Sequence, residues 1–247
     1  MSILITGGGS GIGAATAKRL GKRVPVIVAD RNLPAASAVA AEIANAGGKA
    51  FAVEVDVTSK ASIRAMMSEL ERVGAGPIEG LFNNAGINIR QRIEDIVEAD
   101  WDAVFNTHAK GVLLVSQAVL PQMLARKRGV VVNTASDYSV IGVPGLGAYC
   151  AAKTAVYALT KAMAVEFTEH GIRVNAVGPG PIDTPLLRAG RAPAEAEERL
   201  AMHRAKIPMG RLGQPEEVAA VVDFLMSERS SYIAGQLVHP NGGLVMW

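Results

Sequence analysis

From end to end the chain alternates between short apolar, β-branched runs and longer stretches of helical periodicity. The runs are Ile3–Thr6, Val26–Ala29, Ala50–Val55, Gly80–Asn83, Val130–Thr134, Arg173–Val177 and Gln236–His239. Several are almost wholly apolar, as expected of parallel strands covered on both faces. Between them, Ile63, Met66, Met67, Leu70 and Val73 fall on one helical stripe after Thr58 and Ser59. A later helix opens with Pro215, Glu216 and Glu217, where proline suits the first turn and acids complement the dipole. Its buried face is expected at Val218, Val221, Val222 and Leu225. Strand followed by helix throughout predicts an α/β fold. We expect a Rossmann-type doubly wound parallel sheet of about seven strands, with helices on both faces, in three layers.

At ~150 residues per domain, 247 residues fit one large domain or two small ones. No linker or repeat interrupts the alternation. The stretch from Gly178 to Gln214, rich in Pro, Gly, Arg and Ala, follows a strand. It reads as an insertion in a single domain spanning residues 1–247, with a substrate lid at about 183–212. Lysine plus arginine number 25 against 23 acids, a net charge of +2. So weak a basic excess argues against a nucleic-acid partner. No apolar run approaches the ~18 residues that span a bilayer. The N-terminus lacks the basic region and cleavage site of a signal peptide. A single cysteine excludes an internal disulfide and fits a reducing compartment. A cytoplasmic protein without a membrane partner is expected.

Between the first strand and first helix lies Thr6-Gly-Gly-Gly-Ser-Gly-Ile-Gly13. Gly7, Gly11 and Gly13 are spaced for a tight turn, close backbone approach to a pyrophosphate, and close helix–strand packing. Ser10 and Ile12 fall within the same loop. The free N–H groups and dipole of the helix N-terminus attract the phosphate. Asp30 ends the next strand, 17 residues after Gly13. A carboxylate there accepts both hydroxyls of an adenosine ribose and repels a 2′-phosphate, which favours NAD over NADP. Arg31, the next residue, is able to reach a phosphate and keeps NADP as the alternative.

Tyr149 and Lys153 stand one turn apart at the start of a long helical pattern. A free phenol has a pKa of about 10 and is a poor base at neutral pH. A cation ~4 Å away, at an effective dielectric constant of ~20, is worth about 4 kcal/mol. That is enough to lower the phenol's pKa by roughly three, although desolvation pushes the other way. Such a tyrosine accepts a proton from an alcohol or donates one to a carbonyl. Tyr157 and Lys161 repeat the spacing. Tyr149 is favoured because it follows the glycine-rich stretch of Gly142, Gly145 and Gly147, near a helix start. Tyr157 lies about 80° further round the helix and reads as core or interface. Cys150 points ~100° from Tyr149 and reads as a packing residue. The four histidines, His108, His170, His203 and His239, show no metal-ligand spacing, so no metal is expected.

Taken in order, these segments resemble the classical short-chain dehydrogenase/reductase (SDR) family over the whole chain. The resemblance is carried by Thr6–Gly13, Asp56-Val57, Asn83-Asn-Ala-Gly86, Asn106, Ser136, Tyr149 with Lys153, Pro179-Gly180 and Asn241-Gly-Gly243. Ser136 precedes Tyr149 by 13 residues, as the family pattern requires; the same offset from Tyr157 gives Pro144. The resemblance implies that Tyr149 is the general acid/base, and that Lys153 binds the nicotinamide ribose and lowers the phenol's pKa. It implies that Ser136 holds the substrate oxygen and Asn106 a relay water. Asp56 and Val57 would contact adenine, and Asn83, Asn84, Ala85 and Gly86 would support the sheet and line the cofactor. Ile182 and Thr184, after Pro179 and Gly180, would hold the carboxamide.

Substrate contacts are expected from Asn88, His108, Asp137, Tyr138, the Val140–Leu146 loop including Leu146, and the Leu186–Met209 lid. The lid cations Arg188, Arg191, Arg199, His203, Arg204, Lys206 and Arg211 would suit an anion. Glu195, Glu197 and Glu198 among them favour a solvated face. One departure from the family is His239-Pro-Asn241-Gly-Gly, where Asp-Gly-Gly is usual. Lying far from the tetrad, it is expected to matter structurally at most. The implied activity is NAD-dependent hydride transfer with a small secondary alcohol or ketone. The alternatives are an NADPH-dependent 3-oxoacyl thioester reductase and, from another class, a non-catalytic dinucleotide sensor. The family implies a homotetramer using helices near residues 100–125 and 150–167, with Trp247 packing on a neighbour.

Overall fold

The computed structural model describes residues 2–189 and 193–246. Arg191 and Trp247 therefore lie outside the described residues. Seven strands form one parallel sheet: β1 (Ser2–Thr6), β2 (Val26–Asp30), β3 (Ala50–Glu54), β4 (Ile78–Asn83), β5 (Gly129–Thr134), β6 (Ile172–Val177) and β7 (Leu237–Val238). Their order is β3-β2-β1-β4-β5-β6-β7. The register pairs Leu4 with Ile27 on one side and with Leu81 on the other.

Side chains alternate across the sheet, and this explains the unbroken apolar runs. Leu4, Ile27, Leu81 and Val131 point to one layer of core, whereas Ile5, Val28, Phe82 and Val132 point to the other. The first layer is closed by α3 (Lys60–Arg72), α5 (Gly111–Arg126) and α6 (Gly147–Phe167). The second is closed by α1 (Gly11–Gly21), α2 (Leu33–Asn45) and α9 (Pro215–Met226). On α3 the expected stripe buries Ile63, Met66 and Leu70, but Val73 falls beyond the last turn and is exposed. Ser59 caps that helix by accepting from the Ser62 N–H at 3.2 Å. In α9, Val218, Val222 and Leu225 are buried with Asp223 and Val221 is half-buried; the Asp223 carboxylate takes Arg19 of α1 at 2.9 Å and also Arg23, just after that helix.

Two features position the site. Strand order reverses direction at β1, so the loops after β1 and β4 diverge and leave a crevice at the carboxyl ends of the strands. Between α4 (Glu98–Phe105) and α5, residues Asn106–Lys110 form a π-helical stretch. The segment 183–212 contains α7 (Pro185–Arg188) and α8 (Pro193–Lys206). Leu200, Ile207 and Leu212 bury themselves there in a small core of their own, with Leu187 and Leu244.

Candidate active site

The loop after β1 opens a cleft of about 830 Å³. Gly7, Gly9, Ser10, Gly11 and Ile12 form its floor. Gly7 has φ +63°, and a Cβ there would stand 2.8 Å from the Ala85 Cα. At Gly13 a Cβ would meet the Gly7 carbonyl oxygen at 2.1 Å, so α1 packs onto the turn only as glycine. Gly13 thus supports the cleft from beneath, while Ser10 stands at the N-terminus of α1 on the rim, its hydroxyl not used in capping.

Asp30, Arg31, Asp56 and Val57 line the same cleft from β2 and β3. The Asp30 carboxylate accepts from the Gly9 N–H and the Asn32 N–H, both at 2.9 Å. It is thereby fixed at the end of the glycine loop. Asp56 Oδ1 accepts from the Thr58 N–H at 2.9 Å and the Thr58 hydroxyl at 2.7 Å. Glycine loop, helix N-terminus and a held carboxylate fit a dinucleotide: a pyrophosphate at the turn and a ribose beside Asp30. Ala85 and Gly86 also line the cleft.

Asn83 does not reach it. Its amide lies behind the strand ends, donating to Ser116 Oγ at 3.2 Å and Asn133 Oδ1 at 2.9 Å. The neighbouring Asn84, in the same expected segment, takes the cleft position and donates to the carbonyls of Thr6 (3.2 Å) and Gly7 (3.1 Å). Period-2 alternation at the end of β4 provides the signal: one of the two asparagines must face the core.

A second cavity of about 140 Å³ adjoins the first and shares Ile12, Asn84, Thr184 and Leu186 with it. Ser136, Tyr149 and Lys153 line it together with Asn88, His108, Tyr138, Leu146, Pro179, Gly180 and Ile182. Tyr149 lies in the first turn of α6 and Lys153 one turn on. Tyr157 and Lys161 line neither cavity; they pair with one another, the ammonium 4.6 Å from the ring centroid. Ser136 Oγ accepts from the Tyr138 N–H at 3.1 Å and is hydrogen-bonded to the Tyr149 phenol.

The electrostatics differ from the sequence expectation. Burial pushes the Tyr149 phenol above its ordinary value, against the opposing pull of the Ser136 hydrogen bond. The Lys153 ammonium stands 5.6 Å from the phenol ring centroid and donates instead to the Thr134 carbonyl at 2.5 Å. Burial pushes Lys153 down to about 7. Desolvation therefore outweighs the attraction of the cation, and the phenol of the protein alone holds its proton.

Asn106 does not line the cavity of the Tyr149 phenol. It lines the dinucleotide cleft with Ala103 and Thr107. The side chain against Tyr149 is His108, two residues on and hence near the opposite side of the helix. Its Nε2 lies 2.8 Å from the Ile87 carbonyl oxygen, and its Nδ1 is buried without a partner. Burial, and then the nearby Lys153 charge, hold the imidazole well below its ordinary value, so it is neutral. Nothing in the sequence chose between these two helix faces.

Asp137 likewise turns away from the cavity and is fully buried against His239 and Asn241. In the lid, Arg188 pairs with Asp183, Arg204 with Glu197 and Arg211 with Glu217. These carboxylates account for three of the cations that an anionic substrate would need. Among the described residues, no group of three or more metal-ligating side chains is present. No helix there is long and apolar enough to cross a membrane.

Residues 7–245 match the family model described as enoyl-(acyl carrier protein) reductase. The chain is 38% identical to the 3-oxoacyl-(acyl-carrier-protein) reductase of Thermotoga maritima, covering 98% of this chain and 97% of that one. It is 41% identical to cyclohexanol dehydrogenase of an Acinetobacter species, covering 94% and 90%. Among solved structures, a short-chain type dehydrogenase/reductase from Mycobacterium marinum superposes with TM-score 0.92 at 36% identity, over 100% of this chain and 96% of that one. A gluconate 5-dehydrogenase from Burkholderia cenocepacia, in complex with NADP and tartrate, gives TM-score 0.90 at 35% identity, over 98% and 94%.

Proposed function

The chain belongs to the short-chain dehydrogenase/reductase family of NAD(P)-binding oxidoreductases, and within it we propose an NAD-dependent enzyme acting on a secondary alcohol or ketone. One observation carries the reading: Ser136, Tyr149 and Lys153 meet on the wall of a cavity continuous with the dinucleotide cleft. Bound nicotinamide supplies the hydride donor or acceptor. The Ser136 hydroxyl holds the substrate oxygen. In reduction the protonated Tyr149 phenol gives its proton to that oxygen; in oxidation it takes the proton back. Lys153 favours the tyrosinate by its charge. His108 joins this group, holding Tyr149 from behind, and Asn106 lines the wall of the dinucleotide cleft.

The preference for NAD rests on Asp30, whose fixed carboxylate opposes a 2′-phosphate. Arg31 on the same wall and the NADP in the Burkholderia neighbour support the NADP alternative. Substrate contacts are assigned to Asn88, Tyr138 and Leu146, beneath a lid at 183–212. A second reading, reduction of 3-oxoacyl thioesters, is supported by the Thermotoga relative. A non-catalytic sensor is disfavoured by the complete serine, tyrosine and lysine set. Exposed Val97, Trp101 and Leu113 on and beside α4 and α5, with Val165 on α6, support association into a homotetramer. The absence of a membrane-length helix among the described residues is in keeping with a cytoplasmic enzyme.

The test is a panel of polyols, sugar acids, cyclic alcohols and a 3-oxoacyl thioester, each with NAD(H) and NADP(H). Turnover of an alcohol or its ketone, with higher kcat/KM for NAD(H), supports the reading. Preference for the thioester with NADPH replaces it with the second one.

A further inference from the structure

Asp137 follows Ser136 in sequence, yet its carboxylate is fully buried on the far side of the loop. A carboxylate removed from water needs donors close at hand. Here both come from the C-terminal segment after β7. His239 Nδ1 lies 2.7 Å from Asp137 Oδ1, and Asn241 Nδ2 donates to the same oxygen at 3.0 Å. Asn241 is committed in full: Nδ2 also donates to the Val245 carbonyl at 2.8 Å, and Oδ1 accepts from the Gly243 N–H at 2.9 Å. An aspartate at 241 would set two carboxylates against each other. Both donors meet Asp137 Oδ1, and Oδ2 is buried without a partner.

The contact extends to the serine. The Asp137 N–H donates to the Pro179 carbonyl at 3.3 Å, and the Ser136 N–H donates to Ser139 Oγ at 3.1 Å. Gly180 in turn donates to the Pro240 carbonyl at 3.3 Å. The Ser136 turn, the Pro179-Gly180 turn and the segment after β7 are thus laced together around one carboxylate.

We propose that Asp137, held by His239 and Asn241, is a positioning residue that fixes the Ser136 hydroxyl toward the substrate oxygen. This inference rests on the catalytic role given to Ser136 above. Its test uses the full-length protein and four variants: Asp137→Ala, Asp137→Asn, Asn241→Asp, and the exchange Asp137→Asn with Asn241→Asp. Asp137→Ala lowers kcat roughly 10- to 100-fold, the scale of a lost hydrogen bond to a charged group. Its NADH dissociation constant stays within about twofold, since the nucleotide cleft is untouched. Asn241→Asp alone lowers kcat by like-charge repulsion, and the exchange recovers at least about tenfold of that loss. Wild-type kcat in Asp137→Ala, or equal kcat in Asn241→Asp and the exchange, overturns the proposal. The backbone amide resonance of Ser136 gives a readout independent of turnover. It shifts in Asp137→Ala, and an unshifted resonance overturns the proposal even if no alcohol is oxidised. Absence of turnover in the wild type with that shift intact refutes the catalytic reading alone.

Discussion

His108 meets Tyr149 edge to face, ring centroids 5.2 Å apart and planes at 85°. A neutral, buried imidazole anchored on the Ile87 carbonyl thereby forms the back wall of the phenol. His108→Ala removes that wall and is expected to lower kcat about tenfold, the equivalent of roughly 1.4 kcal/mol. Asn106→Ala, on the nucleotide side, raises the coenzyme KM and leaves kcat within about threefold. Steady-state kinetics of the two variants separate these faces; the opposite pattern returns Asn106 to the catalytic group.

Asp30 is the proposed determinant of coenzyme choice. Its replacement by alanine removes a charged acceptor worth about 1.5–3 kcal/mol and the repulsion of a 2′-phosphate. NAD efficiency is expected to fall at least about tenfold while NADP efficiency rises. Parallel kcat/KM measurements check this; a wild-type efficiency already far higher with NADP contradicts it.

Lys153 makes the stability of the coenzyme-free protein depend on pH. Its folded-state value of about 7 lies below its ordinary value of 10.5. Between these two values the unfolded chain binds more protons, so stability rises with pH across that window. Below it the cost of the buried charge is present in full, and above it the cost is gone. Lys153→Met lacks this cost at every pH. Its Tm advantage over wild type should therefore shrink as pH rises from 7 to 10. Thermal melts along that series provide the check.

Gly13 and Gly142 offer a contrast in backbone space. A methyl at Gly13 strikes the Gly7 carbonyl at 2.1 Å, whereas at Gly142 nothing stands within 4 Å. Gly13→Ala is expected to weaken NADH binding and lower Tm by several degrees, at roughly 2–4 °C per kcal/mol for a chain of this size. Gly142→Ala should leave both within error. Fluorescence titration and melting of the two variants measure the difference.

The sheet was legible because parallel strands covered on both faces must be apolar throughout. All seven runs became strands, with ends moved by one or two residues at most positions. Tyr149 and Lys153 were legible because they stand one turn apart on one helix, whereas Ser136, in the turn after β5, was reached only through the family pattern. Asn84, His108 and Asp137 were harder to read. Each lies where the chain leaves a regular element: at the end of β4, in a π-helical stretch, and in a short turn after β5. At such points one residue of phase reverses the direction of a side chain, and no periodicity remains to set it. The pairing of Asp137 with His239 spans 102 residues and has no local signal. The phenol's electrostatics also depended on burial, which residue spacing does not reveal.

In the proposed hydride-transfer reaction, the Tyr149 phenol carries the proton. This role is tested most directly by comparing the wild type with Tyr149→Phe on one accepted alcohol, following NADH by absorbance. A fall in kcat of at least about 100-fold is expected, the general acid/base contribution, with NADH still bound. Equal kcat in the two proteins would contradict it.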